Sequence, residues 1–388
     1  MRFGLEPMAE ACARAAHPER AFPVVHVAGT NGKGSVCAMV EAMARASGLR
    51  TGLYTSPHLC RFAERIRIDG APVDDPTLDR HLEAALDLGP DLSFFETATL
   101  AALLAMRDAA VELAILEVGL GGRLDATNVI PPPRAAAVTR IALDHMAILG
   151  DSVEQIAREK AAIAKPGVVL VIGRGSPSVR AAIEDEAHAR GATTVVADED
   201  VDALRFFEHA PRIGLAGAHQ KDNACVAWVL GKQLGFSEDA RASGIAEVRW
   251  PGRLERLETA EGPVLLDAAH NPDGAASLAA HLVGTDPRTT ALLFGALADK
   301  AWTGMIDALA KAAEHRVYVE PKGRAATDPR LIAARHVGVV ADGVLEGYAR
   351  ARAAVGSKGL VVACGSVFLI GELRAKLLGL PRDPPMAL

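Results

Sequence analysis

Short apolar runs alternate with stretches of helical period from one end of the chain to the other. The runs at 24–28, 113–118, 135–139 and 168–172, built mostly of Val, Leu, Ile and Ala, read as buried strands, with a further strand at 51–55. After a break, runs at 264–267, 291–294, 317–319 and 360–363 continue the series. Residues 36–46 read as a helix. Another helix starts at Ser152, which can form a capping box with Gln155, and runs to Ala164 before Lys165-Pro166-Gly167 closes it. This alternation predicts α/β architecture, with mainly parallel sheets covered by helices on both faces. Pro251-Gly252 breaks regular structure within Arg249-Trp250-Pro251-Gly252-Arg253, and a fresh strand–helix series begins just after it. The expected division is a large N-terminal domain, 1–250, and a smaller Rossmann-like α/β domain, 251–388.

Composition narrows the class. A length of 388 residues suits two cores rather than one. Half the residues are apolar and 23% are charged, the balance of a soluble globular protein, and with aromatics at 4% the core must be mostly Ala, Val, Leu and Ile. A net charge of −6 without a basic tract argues against a nucleic-acid partner. No apolar run approaches the length of a membrane span, and the N-terminus lacks a signal-type apolar region. Cys12, Cys37, Cys60, Cys225 and Cys364 are scattered without a CxxC pair, which suits a reducing cytoplasm rather than a zinc or redox motif. The expectation is a cytoplasmic monomer acting on small molecules, with no nucleic acid and no membrane.

Chemistry concentrates at the carboxyl ends of the predicted strands. Ala28-Gly29-Thr30-Asn31-Gly32-Lys33-Gly34-Ser35 lies between a strand and a helix, the context of a phosphate-binding loop. Its glycines let backbone amides turn inward, the helix N-terminus adds partial positive charge, and Lys33 adds a full one. The first domain therefore reads as a P-loop-type ATPase domain. The common Walker pattern is absent, since Val27 replaces its first glycine and Gly34 follows the lysine. Ser56, in Thr55-Ser56-Pro57-His58-Leu59, follows the strand at 51–55 and offers a metal-ligand hydroxyl; a Ser-Pro turn is the plainer reading. Glu117 ends an apolar strand and opens a glycine-rich turn, where a carboxylate that holds Mg2+ against phosphates is usually found. His145 follows the strand at 135–139 and reads as a further ligand on the same sheet edge. Lys160 lies in a helix near apolar Ile156, Ala157, Ile163 and Ala164. A lysine there is ordinarily solvated; half-buried, it can lose its proton and take up CO2 as a carbamate suited to Mg2+. Asn223 could read an adenine edge. Asp267 and His270, in Asp267-Ala268-Ala269-His270-Asn271-Pro272, lie just beyond a second-half strand, although a helix cap explains such residues equally well.

Together these segments resemble folylpolyglutamate synthase and the bifunctional bacterial dihydrofolate synthase of the Mur ligase superfamily. The matching stretches are H-V-A-G-T-N-G-K-G-S, T-S-P-H-L, S-F-F-E-T-A-T, E-V-G-L-G-G-R-L-D-A-T-N, L-D-H, R-E-K-A, H-Q-K-D-N-A, W-P-G-R-L-E and D-A-A-H-N-P, in family order from residue 26 to residue 272, with a weaker C-G-S-V-F-L-I-G-E reaching 372. The resemblance implies ATP-dependent ligation of L-glutamate to a folate carboxylate through an acyl phosphate. ATP is then a co-substrate, Mg2+ the metal and a monovalent cation a further ligand, with dihydropteroate or folates as acceptors. It implies that Gly32, Lys33, Gly34 and Ser35 hold the ATP phosphates, that Asn223, Arg253 and Asp267 contact ATP, and that His270 lies near the phosphates. Ser56, Glu117 and His145 would hold Mg2+, with Lys160 carbamylated. Phe94, Phe95, Glu96 and Leu124 would line the pteroate pocket, the rings offering stacking surface. Two other readings stay open at this point: a Mur-type ligase with a different carboxylate acceptor, and a nucleotide-binding module without ligase activity.

Overall fold

The computed structural model describes residues 4–384. The chain divides into two compact units. The first runs to Pro57 and continues through Ala63–Gly214 and Gln220–Arg249; the second takes His58–Phe62, Leu215–His219 and the chain from Trp250 onward.

The first unit is built on an eight-stranded sheet. Its strands are β1 (Val24–Ala28), β2 (Thr51–Tyr54), β3 (Ile66–Ile68), β4 (Ala71–Pro72), β5 (Leu113–Glu117), β6 (Ala135–Val138), β7 (Val169–Ile172) and β8 (Thr193–Val196). The spatial order is β4-β3-β2-β5-β1-β6-β7-β8. All neighbours are parallel except β2/β3 and β3/β4. Every residue of β1, β5 and β6 is buried, as strands covered by helices on both faces must be. Because β1 lies between β5 and β6, the loops after these three strands meet at one edge, the usual place for a ligand in such sheets.

Scarce aromatics are compensated by close helix packing. Helix Lys33–Ala46 follows β1 and packs on helix Glu238–Glu247. A Cβ on Gly244 would stand 2.6 Å from the Met43 backbone nitrogen, so the two helices touch at backbone distance. Small residues there fill the core without large rings.

The second unit has a six-stranded sheet of β9 (Glu255–Thr259), β10 (Gly262–Leu266), β11 (Thr290–Phe294), β12 (His315–Tyr318), β13 (Val339–Val340) and β14 (Leu360–Cys364). The order is β13-β12-β11-β14-β10-β9, parallel apart from the β9/β10 pair. Apolar clusters lie on both of its faces. The architecture is thus α/β in both units, with mainly parallel sheets as the alternation predicts.

The differences from the sequence expectation lie at sheet edges and helix ends. The apolar runs do not announce β3, β4, β8, β9 or β13. β4 and β13 have two residues each, and β9 alternates half-buried and exposed positions through Glu255-Arg256-Leu257-Glu258-Thr259. The helix expected to reach Ala164 ends at Ala161, although its capping box forms as read: the Gln155 amide donates to Ser152 Oγ and the Ser152 amide to Gln155 Oε1. Its last turn tightens, with Ala164 N donating to Ala161 O. Among the described residues, no helix is long and apolar enough to cross a membrane.

Candidate active site

The loop after β1 owes its shape to glycine and to a brace from β6. Gly29 and Gly32 have φ of 147° and 90°, where a side chain would be strained. A Cβ on Gly29 would stand 1.9 Å from Thr139 Oγ1, and that hydroxyl donates to Asn31 O at 2.7 Å. Thr30 N and Asn31 N both donate to Arg140 O, at 2.9 and 3.2 Å. Helix Lys33–Ala46 starts without a side-chain cap, which leaves its first-turn amides directed at the loop. Lys33 folds back across the loop and donates to Gly29 O and Thr30 O at 3.1 and 3.2 Å.

Glu117 meets this lysine. β5 pairs with β1 so that Glu117 stands opposite Val27, one residue before the loop. Its buried carboxylate lies 4.0 Å from Lys33 Nζ through Oε1 and accepts the Ser56 amide at 3.2 Å through Oε2. The β2/β5 pairing of Tyr54 with Leu116 sets that contact, because it brings the turn after β2 beside the end of β5. Lys33, Glu117 and Ser56 are thus one cluster.

Asn223 and Ser35 meet through Gln220. Gln220 Nε2 donates to Ser35 Oγ at 3.3 Å, and Asn223 Nδ2 donates to Gln220 Oε1 at 2.9 Å. A Cβ on Gly32 would stand 2.2 Å from Asn223 Oδ1, so the Asn223 amide lies directly against the loop. The sequence motifs give Gln220 no role, although its position three residues before Asn223 puts it on the same helix face.

The glycine-rich turn after β5 is organised by Asp125. Its Oδ2 accepts the amides of Gly119 and Leu120 at 3.0 and 2.8 Å. Its Oδ1 accepts the Thr127 amide and hydroxyl, and Thr127 Oγ1 lies 2.8 Å from Nε2 of buried His26. Burial pushes the Asp125 carboxyl up, and these hydrogen bonds oppose the shift. An acidic residue just after a glycine-rich turn is the available sequence signal, since such a turn needs an acceptor for its amides.

Around this turn the proposed acceptor residues separate. The Phe95 ring lies over Gly119, where a Cβ would stand 2.3 Å from Cζ, and 6.0 Å from the Tyr54 ring. Phe94 is exposed and carries the Arg65 guanidinium 5.5 Å from its ring centre. Leu124 is half-buried in the turn itself. Glu96 serves as the third helical residue of a capping box with Ser93, which occupies its carboxylate with the start of helix Phe94–Asp108.

Lys160 is buried, on the last turn of helix Val153–Ala161. Burial and the nearby Lys33 charge lower its pKa from 10.5 to about 7, with Asp144, Asp125 and Glu159 opposing. His145 sits in the left-handed region with φ 51°, ahead of the turn Met146–Leu149. Its amide donates to Asp144 Oδ1 at 2.9 Å, and its Nε2 lies 3.9 Å from the same atom. The sequence motifs give Asp144 no role, although it stands beside His145 in the L-D-H motif and its charge acts on Lys160.

Among the described residues, no group of three or more His, Cys, Asp or Glu side chains has the arrangement of a metal site. The donors present at Glu117 and Ser56 are a single carboxylate and a hydroxyl beside a phosphate-type loop. That oxygen set fits Mg2+, which keeps much of its shell as water and substrate phosphate, rather than a metal needing a protein cage.

In the second unit, Asp267 follows β10. Its carboxylate accepts the Leu254 and Ala269 amides, each at 2.9 Å. Burial raises its pKa, while Arg253, these amides and His219 oppose the rise. Arg253, Asp267 and His219 therefore come from three separated motifs into one electrostatic neighbourhood. His270 Nδ1 lies 2.9 Å from Ala268 O, and Asn271 caps helix Pro272–His281 through the Gly274 amide.

Comparison with known proteins accounts for both units. Residues 27–231 match the Mur ligase middle domain and residues 252–367 the Mur ligase glutamate ligase domain. The chain is 36% identical over 411 residues to a probable bifunctional folylpolyglutamate synthase/dihydropteroate synthase of Haloferax volcanii, an alignment that covers 96% of this chain and 49% of that relative. It thus spans about half the length of the first such relatives. It is 34% identical over 392 residues to the dihydrofolate synthase/folylpolyglutamate synthase of Escherichia coli, covering 96% of this chain and 90% of the relative. The solved structure of Escherichia coli FolC in complex with DHPP and ADP superposes with a TM-score of 0.88 at 29% identity, covering 98% of this chain and 94% of that one. A bifunctional folylpolyglutamate synthase/dihydrofolate synthase solved with Mn, AMPPNP and L-glutamate superposes at 0.87 with 30% identity, covering 97% and 95%. A strand-borne carboxylate shared by a loop lysine and a serine turn, on a chain matched by both Mur domains, leads to one assignment: the chain belongs to the dihydrofolate synthase/folylpolyglutamate synthase family of Mur ligases.

Proposed function

We propose that this chain is an ATP-dependent ligase that joins L-glutamate to the carboxylate of a folate, with dihydropteroate, tetrahydrofolate or both as acceptor. The observation that carries the reading is the cluster of Lys33, Glu117 and Ser56 at the carboxyl edge of the first sheet. It supplies a cation, an anion and a hydroxyl where a nucleotide's terminal phosphates would lie against uncapped helix amides. The relatives solved with ADP, or with AMPPNP, Mn and L-glutamate, support the same chemistry.

In the first step an oxygen of the acceptor carboxylate bonds to the γ-phosphorus of ATP, and ADP leaves. In the second, the glutamate amine bonds to the acyl carbon, the amine gives up a proton, and phosphate leaves. Gly32, Gly34 and Ser35 would bind the phosphates, and Lys33 would neutralise the transferring group. Glu117 and Ser56, with His145 and a carbamylated Lys160, would hold Mg2+. When bound, Mg2+ supplies charge neutralisation on the triphosphate. Asn223, Arg253 and Asp267 would orient the nucleotide, with His270 near its phosphates. Phe95, whose ring lies over Gly119, and Leu124, in the turn itself, would face the acceptor's ring system together with Phe94, and Glu96 would contribute through the helix start it caps. Most of the rate gain on this reading is alignment of three substrates.

The test is mass spectrometry of the products formed from ATP, Mg2+ and L-glutamate with dihydropteroate, tetrahydrofolate and a peptidoglycan nucleotide in separate reactions. A glutamyl product from either folate, with one ADP per amide, is the expected result. A product from the peptidoglycan nucleotide alone, or ATP turnover without any amide, would overturn it.

A further inference from the structure

Strand β1 holds a polar ring in an otherwise apolar run. His26 stands between Val25 and Val27, opposite Leu116 of β5 and Ala136 of β6, and is fully buried. A polar group placed there is unfavourable unless it finds hydrogen-bond partners. Nε2 has one in Thr127 Oγ1, at 2.8 Å, while Nδ1 has none among the described residues. Burial and the nearby Lys165 charge push the His26 pKa down to about 3, so the ring is neutral and carries a single N–H.

Thr127 decides which nitrogen bears that proton. Its hydroxyl has one hydrogen to give, and both His26 Nε2 and Asp125 Oδ1 are within reach of it. Were it given to Nε2, the ring proton would sit on Nδ1 as a buried donor with nothing to receive it, and Asp125 would lose its hydroxyl donor. Asp125 already accepts the backbone amides of Gly119, Leu120 and Thr127, the surroundings of a carboxylate rather than of a carboxylic acid. A hydrogen bond to that anion is the stronger of the two choices. The chain then runs in one direction, from His26 Nε2–H to the Thr127 hydroxyl and from that hydroxyl to Asp125 Oδ1.

We propose that His26, as the Nε2–H tautomer, is a positioning residue for Asp125: it fixes the Thr127 hydroxyl as a donor, and so keeps a hydroxyl and three amides on the carboxylate that gathers the turn after Glu117. The strand that leads into the phosphate loop thereby anchors the glycine-rich turn beside it. A Cβ on Gly119 would meet the Phe95 ring and one on Gly122 the Lys160 backbone, so a loosened turn disturbs both neighbours. The proposal rests on the proposed function only in making this turn part of the acceptor's seat.

The experiment uses the full chain without metal or nucleotide. Nitrogen NMR of protein labelled in its imidazole rings, with the His26 signals identified by their absence from His26→Gln, should show a protonated Nε2 and a bare Nδ1. A protonated Nδ1, or a doubly protonated ring at neutral pH, overturns the proposal. Amide hydrogen exchange reads the consequence. In His26→Leu the Gly119 and Leu120 amides exchange at least about tenfold faster, while Val25 in β1 and Leu116 in β5 are unchanged. His26→Gln, whose side-chain amide can still donate to Thr127, stays within about threefold of wild type. Thr127→Val removes the hydroxyl that links the two residues. It accelerates the same amides, and combining it with His26→Leu adds little, as expected of groups acting through one chain. Fully additive effects, or unchanged exchange at Gly119 and Leu120 in His26→Leu, overturn the proposal. If His26→Leu loosens β1 as well, Thr127→Val decides: faster exchange at Gly119, Leu120 and the His26 Nε2–H with Val25 unchanged supports the chain, and unchanged exchange overturns it. Wild-type protein that makes no glutamyl product would sink the proposed function and leave the tautomer and exchange results standing.

Discussion

Gly122 and Lys160 touch through their backbones: a Cβ on Gly122 would stand 2.9 Å from the Lys160 carbonyl oxygen and 3.0 Å from its Cα. The neighbouring Glu159 carbonyl would be 2.6 Å away and already accepts the Arg123 amide at 3.2 Å. The glycine turn after Glu117 is thus docked on the helix end that carries Lys160. Gly122→Ala must push the two apart. Overpacking of this kind costs about 1–3 kcal/mol, and a misplaced reactive group loses about tenfold or more in rate. We expect kcat to fall by at least about tenfold with a modest drop in melting temperature. Steady-state kinetics beside thermal unfolding checks this, and a variant that turns over normally refutes the docking argument.

Lys160 tests the carbamate. A pKa of about 7 leaves much of this buried amine neutral at physiological pH, and only the neutral amine attacks CO2. Lys160→Ala should abolish ligation, and short carboxylic acids should partly restore it by placing an anion in the vacated space. Wild-type protein prepared in CO2-depleted buffer should regain activity on adding bicarbonate. Normal turnover by Lys160→Ala would remove the carbamate from the mechanism.

The same group sets a pH dependence of stability. Unfolded, Lys160 titrates near 10.5; folded, near 7. Below pH 7 both states carry the proton, and the folded state bears the whole penalty of the buried charge. Between 7 and 10.5 the unfolded state binds more protons, so this contribution to stability rises with pH. Lys160→Met removes the titration. In CO2-free buffer it should stabilise the fold by on the order of a few kcal/mol at pH 6, with the advantage fading toward pH 10.5. Urea unfolding at several pH values measures it, and an advantage that grows with pH would contradict the assignment.

What could be read from the sequence follows the physics of each element. β1, β5 and β6 are legible because strands buried on both faces must be apolar throughout. β8 is not, because Thr193-Thr194-Val195-Val196 is a partly exposed edge, and β9 is not, because its charged residues sit at alternate positions. The phosphate loop is legible through its glycines, whose φ values admit little else. Asp125 is legible only as an acid after a glycine-rich turn, since its partners are backbone amides and a hydroxyl rather than a set of motif side chains. Glu96 shows the reverse case: family resemblance names it for a pocket, while its carboxylate caps a helix.

Gly32 and Asn223 give a further test. Gly32 has φ 90°, and any side chain there meets Asn223 Oδ1 at 2.2 Å. Gly32→Ala combines backbone strain with a clash against the residue proposed to contact ATP. Nucleotide affinity should fall by at least about tenfold, because the amides that would bind phosphate move with the loop. Asn223→Ala should weaken AMPPNP binding by less, since it leaves the loop backbone intact. Calorimetric titration with AMPPNP compares them, and equal affinity of Gly32→Ala and wild type would end the case for this loop as the phosphate site.

Glu117→Gln isolates charge from shape. The glutamine can still accept the Ser56 amide through its carbonyl oxygen, so the turn after β2 and the β2/β5 register need not move. What disappears is the negative charge 4.0 Å from Lys33 and the anionic donor for Mg2+. Lys33 then loses its counter-charge in a buried setting, which strengthens its hold on an anion even as the metal's is weakened. Nucleotide binding without metal should therefore be unchanged or slightly tighter, while Mg2+-dependent ligation falls by about 100-fold or more. Paired titrations with AMPPNP, with and without Mg2+, separate the two effects. Mg2+ dependence equal to that of wild type would remove Glu117 from the metal's shell.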